Sequence, residues 1–482
     1  MRVCFAKKKI AILLSILTMI CMLSGCAYSS VDEYLEILGM KDASTEDNTL
    51  AENGIGQDIS GTEPSDSNNS SAADEDSGTN STDATSSGVT SDEQTSDESI
   101  ADKLFSDSYM HISESSLNED MKQARLDAGL TDNSIDLVKR EQKGLYAYER
   151  LTEAGKTLYA EMLIIIQNMA VDVPVSTTSD EALDLVFDYL LIDHPELFYV
   201  DGYKYTNYLS LDDVITNITF SGSYIYNENE VAIKQKQIDK AANECLSGAP
   251  GSSDEYYAIK YIYEYLINNT EYDVEAEDNQ NICSVFINKK SVCNGYSKAA
   301  QYLLNKLGIN CTLVTGTVDT KKSKGVSHAW NLVECNGAYY YLDVTWGDSS
   351  YQVGNGESAD ATRLPAVNYD YLNVTTDELL KNHTISDVIY MPVCNSLKDN
   401  YYVREDEYFT SAELALVGEL FSRRYQDGSS NVIIKCASKN VYDQLFDQLI
   451  TQRLVFNYLQ GENSSISYTT FADTNTIIFW IA

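Results

Sequence analysis

At 482 residues the chain is too long for one hydrophobic core, so two or three domains are expected. Its 73 acidic residues against 34 basic ones leave a formal charge of −39, which repels phosphate backbones and excludes nucleic acid as a partner. The 43% of hydrophobic residues is an ordinary globular share, so much of the chain can fold.

Residues 1–25 read as an address rather than a fold. Arg2, Lys7, Lys8 and Lys9 precede an apolar run from Ile10 to Leu23, and the small Ser24 and Gly25 stand before Cys26. That layout is a secretory signal, too short and wrongly flanked for a stable spanning helix. Leu23-Ser24-Gly25-Cys26 resembles the lipobox of bacterial lipoproteins. The resemblance implies lipidation of Cys26, and so a mature chain held on the extracytoplasmic face of a cell membrane. The other readings are an uncleaved anchor or plain secretion.

Residues 26–104 are expected to be a disordered acidic tether. Between Lys41 and Ile100, fifteen acidic residues and dense Ser, Thr, Asn and Gly accompany a single lysine. Such a segment buries too little apolar surface to offset its ordering entropy. Residues 105–249 read as a small α+β region. Leu151, Leu158, Met162, Ile165 and Ile166 recur at helical intervals, and a second helix runs from a Ser179 cap to Ile192, stopped by Pro195. Strand-like runs follow at 198–205 and 214–226. His194, placed before a proline at a helix end, reads as structural.

Chemistry concentrates in residues 250–398. Tyr256 to Leu266 is a tyrosine-rich helix. From Cys293 onward, Tyr296, Ala300, Leu303, Leu304 and Leu307 share one helical face, and Gly308 suits the end. Cys293 therefore opens a helix, where the partial positive charge favours thiolate over thiol. His328 lies in a strand-like run from Val326 to Cys335. Asn336-Gly337 then predicts a two-residue type I′ turn, with Ala338 to Trp346 as the returning strand. If Cys335 faces Ala338, His328 and Asp343 project from one face as diagonal neighbours, close enough for imidazole and carboxylate to meet. Asp343 also interrupts an apolar stretch, where a buried charge is costly without a partner. Cys293, His328 and Asp343 are thus candidates for nucleophile, base and orienting group.

The motifs Ser291-Val-Cys293-Asn-Gly-Tyr296, His328-Ala-Trp-Asn331 and Asp343-Val-Thr-Trp346 together resemble the transglutaminase-like superfamily of papain-fold thiol enzymes. The resemblance covers roughly residues 250–395. It implies an α+β core, with the nucleophile helix packed on an antiparallel sheet, and the regions read at its two flanks are smaller α+β modules. It also implies that Cys293 attacks an amide carbonyl, His328 activates the thiol and protonates the leaving amine, and Asp343 orients the imidazole. Animal cross-linking members place an oxyanion-stabilising tryptophan upstream of the nucleophile. Here Trp330, Trp346 and Trp480 all lie downstream. The oxyanion donors are then the Cys293 backbone N–H and another group, with Tyr272 or a tyrosine between 256 and 265 as candidates. Trp330 and Trp346 read as packing residues beside the site.

The expected activity is that of a cysteine peptidase or amidase acting on protein or cell-wall peptide through a thioester. Transamidation and an inactive peptide- or protein-binding surface module are the alternatives. No calcium loop, zinc pattern or phosphate-binding glycine loop occurs, so neither cofactor nor metal is expected. Seven cysteines follow the tether, an odd number that fits one reactive thiol. For Cys311 and Cys335, free thiols and a disulfide both stay open. Lys321, Lys322 and Lys324 form a basic loop read as solvated. Residues 399–482 read as a C-terminal module of strand, helix, strand, helix, strand, with no assigned chemistry.

Overall fold

The computed structural model describes residues 117–320, 323–348, 365–461, 466–472 and 474–481. The expected signal segment 1–25, the lipidation residue Cys26, the tether 26–104, the start of the N-terminal region and Lys321 and Lys322 lie outside these residues. Among the described residues no helix is long and apolar enough to cross a membrane.

The N-terminal region begins with helices α1 (Glu119–Asp127), α2 (Asp132–Glu141), α3 (Glu153–Gln167) and α4 (Asp180–Asp193). Thr152 caps α3 by accepting from the Gly155 N–H, and Ser179 caps α4 by accepting from that of Ala182. Each such cap stabilises its helix by about 1 kcal/mol. The predicted apolar face of α3 is buried, and so is Glu161. Its carboxylate accepts from Arg125 Nη2 at 2.8 Å and from the Ser176 N–H at 2.7 Å, which satisfies a charge that would otherwise be costly. Strands β1 (Val173–Val175), β2 (Val200–Leu209) and β3 (Ile215–Tyr224) form an antiparallel sheet in the order β1-β3-β2. Helix α5 (Glu228–Leu246) follows.

Helix α6 (Glu255–Asn269) leads to the short parallel pair β4 (Glu271–Tyr272) and β5 (Lys290–Ser291), then to α7 (Cys293–Lys306). A second sheet comprises β6 (Cys311–Val318), β7 (Val326–Cys335), β8 (Ala338–Leu342) and β9 (His383–Ile385). Its order is β8-β7-β6-β9, and every pairing is antiparallel. Helix α7 lies on β7: Ser297 Oγ donates to the Ala329 carbonyl at 2.8 Å, and Asn331 Nδ2 donates to that of Ser297 at 3.0 Å. Tyr296, Ala300, Leu303 and Leu304 are fully buried, as the helical period predicts. One buried cluster takes in Leu158, Phe187, Ile259, Leu303 and Val333, so packing is continuous across position 250.

At the hairpin, Asn336 (φ 50°) and Gly337 (φ 81°) both occupy the left-handed region, as a type I′ turn requires. Cys335 pairs with Ala338 and Asn331 with Leu342, the register expected from the turn. The returning strand stops at Leu342, short of the Trp346 that the sequence suggests. There the Asp343 carboxylate caps a one-turn helix, α8 (Val344–Gly347), accepting the Trp346 N–H at 3.0 Å.

The C-terminal stretch holds β10 (Tyr408–Phe409), β11 (Asn431–Cys436), β12 (Ser467–Phe471) and β13 (Thr476–Trp480), ordered β10-β11-β13-β12. Helices Leu414–Gln426 and Lys439–Phe446 accompany them, and a separate buried cluster includes Val417, Phe421, Ile434, Leu445 and Phe479. Strand β12 escapes sequence reading because an edge strand with few buried positions carries little apolar alternation. The fold is α+β, with antiparallel sheets in each of its sheet-bearing layers bar the short β4–β5 and β10–β11 pairs.

Candidate active site

Cys293 is delivered by β5 and an extended Val292 (φ −116°, ψ −177°), which places it as the first residue of α7. The turn there is tight. A Cβ on Gly295 would collide with Ser291 Oγ and Ser284 Oγ, two hydroxyls bonded to each other at 2.6 Å. Glycine at that position lets the helix start sit on the pair. Asn294 Nδ2 donates to Gln280 Oε1 at 2.8 Å, and Lys298 Nζ donates to the Gln280 carbonyl at 3.3 Å. Burial pushes the Lys298 ammonium down to about 8, with Cys293 pulling the other way. Lys298 therefore puts a titratable positive charge within electrostatic reach of the sulfur. Composition and periodicity had not singled it out.

His328 lies on β7 opposite Gly316 of β6, and its Nε2 is 2.7 Å from Asp343 Oδ2. The other ring nitrogen, Nδ1, is then the one available for proton exchange with a nucleophile. Asp343 comes from the cap of α8, and its side chain has no exposure. A second imidazole joins them: His383 Nε2, from β9, stands 3.0 Å from the same Oδ2. Burial by itself raises the Asp343 carboxyl, but the His328 and His383 imidazoles reverse that and hold it well below the usual carboxylate range.

Aromatic rings enclose the group. Trp330 stacks on His328 at 5.9 Å between centroids, and Trp346 lies 6.1 Å from it. Both tryptophans also stand 4.9 Å from His383. They are the packing residues that the sequence suggests, and the dry box they make strengthens each charge interaction inside.

His328, Asp343 and His383 are the group among the described residues whose ligand atoms lie close enough together to hold a metal, within 4.8 Å of one another. The contacts of 2.7 and 3.0 Å are hydrogen-bond lengths. Ligands at 2.0–2.1 Å from a tetrahedral zinc would sit about 3.3 Å apart. N–H protons fit these gaps better than a tetrahedral zinc does.

Cys293 is fully buried, and so is Asp343, while His328 is 2% exposed. The described state is closed: a substrate carbonyl reaches the sulfur only after neighbouring groups give way. Of the tyrosines considered as oxyanion donors, Tyr256 donates to Glu405 Oε1 at 2.8 Å, Tyr261 to the Cys245 carbonyl at 2.8 Å and Tyr263 to that of Asn368 at 2.6 Å. Those three hydroxyls are committed elsewhere. Tyr272 pairs with Ser291, two residues ahead of Cys293. His194 is held by Glu196 at 2.6 Å at the end of α4, apart from this group. None of the seven described cysteines is in a disulfide and all are buried, Cys311 and Cys335 among them.

His383 is a second residue that the sequence does not single out. It sits in a three-residue strand, too short for any periodicity, with no motif around it. Its one sequence signal is rarity, since the chain holds only four histidines.

Residues 242–344 match the family described as the transglutaminase-like superfamily, a span that includes Cys293, His328 and Asp343. Kyphoscoliosis peptidase of Mus musculus is 24% identical over 136 residues, which are 26% of this chain and 21% of that protein. The chain thus spans about a fifth of the length of that curated relative. The crystal structure of a TGase is similar at 17% identity over 34% of this chain and 48% of that one, with a TM-score of 0.22. The periplasmic domain of TgpA from Pseudomonas aeruginosa aligns at 12% identity over 32% and 67%, with a TM-score of 0.21.

Proposed function

Because residues 242–344 form a core domain of the transglutaminase-like superfamily of thiol enzymes, we propose that this chain is a cysteine peptidase or amidase using Cys293, His328 and Asp343. The observation that carries the reading is the buried 2.7 Å contact between His328 Nε2 and Asp343 Oδ2, on the strand against which the Cys293 helix packs. Asp343 holds the imidazole by Nε2, so Nδ1 takes the thiol proton. The sulfur attacks the amide carbon, forming a C–S bond while the carbonyl π pair moves to oxygen. The Cys293 backbone N–H, at the helix start, stabilises that oxyanion. Collapse breaks the C–N bond as the imidazolium gives its proton to the leaving amine, and a thioester remains. Water, deprotonated by His328, then cleaves the thioester and restores the thiol.

The substrate class in this reading is protein or cell-wall peptide, met outside the cytoplasm by an enzyme tethered through a lipid on Cys26. Support for the location is the run of basic, apolar and small residues before Cys26. Transamidation uses the same thioester with an amine as acceptor. A peptide-binding module without turnover is favoured by one observation, the complete burial of Cys293.

One experiment separates these outcomes. Full-length protein and its Cys293→Ala variant are incubated with peptide substrates, with and without a fluorescent primary amine, and with a thiol-reactive amide-mimicking probe. Cysteine-dependent cleavage supports the hydrolase, and amine incorporation moves the assignment to transamidation. Labelling no faster than that of an ordinary thiol, with no turnover, leaves the binding module. Fatty-acid labelling that disappears in Cys26→Ser tests the tether.

A further inference from the structure

We propose that His383 is a positioning residue of this site, which shares the Asp343 carboxylate with His328 and so limits how strongly that carboxylate stabilises a charged His328. The proposal rests on the assignment of Cys293 as nucleophile and His328 as base.

Asp343 has no solvent exposure. Its Oδ1 accepts the Trp346 N–H at 3.0 Å, and its Oδ2 meets both imidazoles, His328 at 2.7 Å and His383 at 3.0 Å. Two donors on one buried oxygen divide its negative charge between them. In a thiolate–imidazolium pair, the stability of the imidazolium depends on how much of that charge it sees. His383 therefore acts on the pair through Asp343, without touching the sulfur.

The fold goes to some length to hold this ring. Strand β9 pairs with β6 through Val318↔His383, Thr317↔Thr384 and Gly316↔Ile385. A Cβ on Gly316 would strike the Thr384 carbonyl and the Trp330 ring, so a side chain there would push β9 away. The His383 ring is clamped at 4.9 Å by Trp330 and by Trp346, and Tyr371 lies at 5.8 Å. The titratable groups facing it are Asp343 from the α8 cap, His328 from β7 at 5.6 Å, and Tyr371 from the Tyr369–Tyr371 turn.

Burial holds the His383 imidazole below its ordinary value, with His328 acting the same way and Asp343 and the Leu379 backbone pulling the other way, which favours a neutral ring with one N–H near pH 7. That proton belongs on Nε2, since a bare nitrogen 3.0 Å from a carboxylate oxygen would set two acceptors against each other. On the far side, Asn382 Oδ1 stands 2.6 Å from Nδ1, and Asn382 Nδ2 stands 2.8 Å from the Tyr371 hydroxyl. Turning that amide over lets it donate to Nδ1 and accept from Tyr371, completing a chain from Tyr371 to Asp343.

The test follows Cys293 alkylation by iodoacetamide against pH in the full-length protein, with Cys293→Ala subtracting the other cysteines. A nucleophile–base pair gives two limbs, the upper one marking loss of the imidazolium proton. His383→Phe fills the aromatic box but donates nothing. It should move the upper limb to higher pH by about one unit, a tenfold change in the proton dissociation constant. His383→Gln, which keeps an N–H, should stay near wild type. An unmoved limb in His383→Phe, even with lower thermal stability, makes His383 mere packing and overturns the proposal. A wild-type profile with the single limb of an ordinary thiol overturns the nucleophile–base assignment, and this proposal with it. One measurement needs no variant: in 15N-histidine-labelled protein near pH 7, His383 Nε2 should carry a proton, and a bare Nε2 would sink the idea.

Discussion

Two buried aspartates, Asp343 at the candidate site and Asp193 at the end of α4, have three hydrogen-bond donors each and opposite acidities. Asp193 is 4% exposed and accepts from the backbone N–H groups of Ala147 (2.9 Å) and Tyr148 (2.8 Å) and from the Tyr159 hydroxyl (3.1 Å). Burial still pushes its carboxyl up to about 6. Asp343 is more deeply buried yet held well below the usual range, because two of its three donors are imidazoles that can carry charge. Counting hydrogen bonds does not decide whether a buried carboxylate stays ionised. The donors' capacity for positive charge does. Asp193 thus fastens the Ala147–Tyr148 turn to α4, while Asp343 keeps its negative charge beside the His328 imidazole.

The largest effect that could break this contrast is on turnover. Asp343→Asn should lower kcat/KM on a cleavable peptide by about 10⁴-fold, the size seen when a triad carboxylate is made neutral. Asp193→Asn should leave the Cys293 alkylation rate as it is. If both variants lost turnover alike, the division of roles would be wrong. The expected change for Asp193→Asn is in folding: an amide N–H2 facing donors costs about 1–3 kcal/mol, measured by urea denaturation at pH 7.

Acidity sharpens the comparison further. The folded-state value of Asp193 is raised, so its contribution is full below the unfolded value of about 3.9 and is lost as pH rises through about 6. The stability gap between wild type and Asp193→Asn should therefore be wider at pH 5 than at pH 8, by about 1 kcal/mol. Asp343 runs the other way. Its depressed value means a contribution present above about 3.9 and lost only as pH falls below that. Across pH 5 to 8 it should be flat. The smallest effect concerns the helix that ends in Asp193: Ser179→Ala removes the α4 cap and should cost about 1 kcal/mol in thermal or urea unfolding, with alkylation of Cys293 unaffected.

Much of the site's scaffold is legible along the chain, for local reasons. The α7 face from Tyr296 to Leu307 follows from a 3.6-residue period, and Asn336-Gly337 sets a turn whose geometry dictates the register of β7 on β8. That register alone makes His328 and Asp343 neighbours. The route by which they meet is not legible, because Asp343 leaves the strand to cap α8, a choice made by the Trp346 N–H that it accepts.

The helix that begins at Cys293 and the turn that sets His328 near Asp343 were determined by the sequence alone, since periodicity and turn chemistry act over a few residues. The tertiary structure alone decided that His383, forty residues beyond Asp343, would share its carboxylate oxygen, and that Lys298 would sit half-buried within electrostatic reach of Cys293. Those placements depend on β9 pairing with β6 and on loop Gln280 folding over the start of α7. Contacts between segments so far apart come from packing and leave no period or motif in the chain.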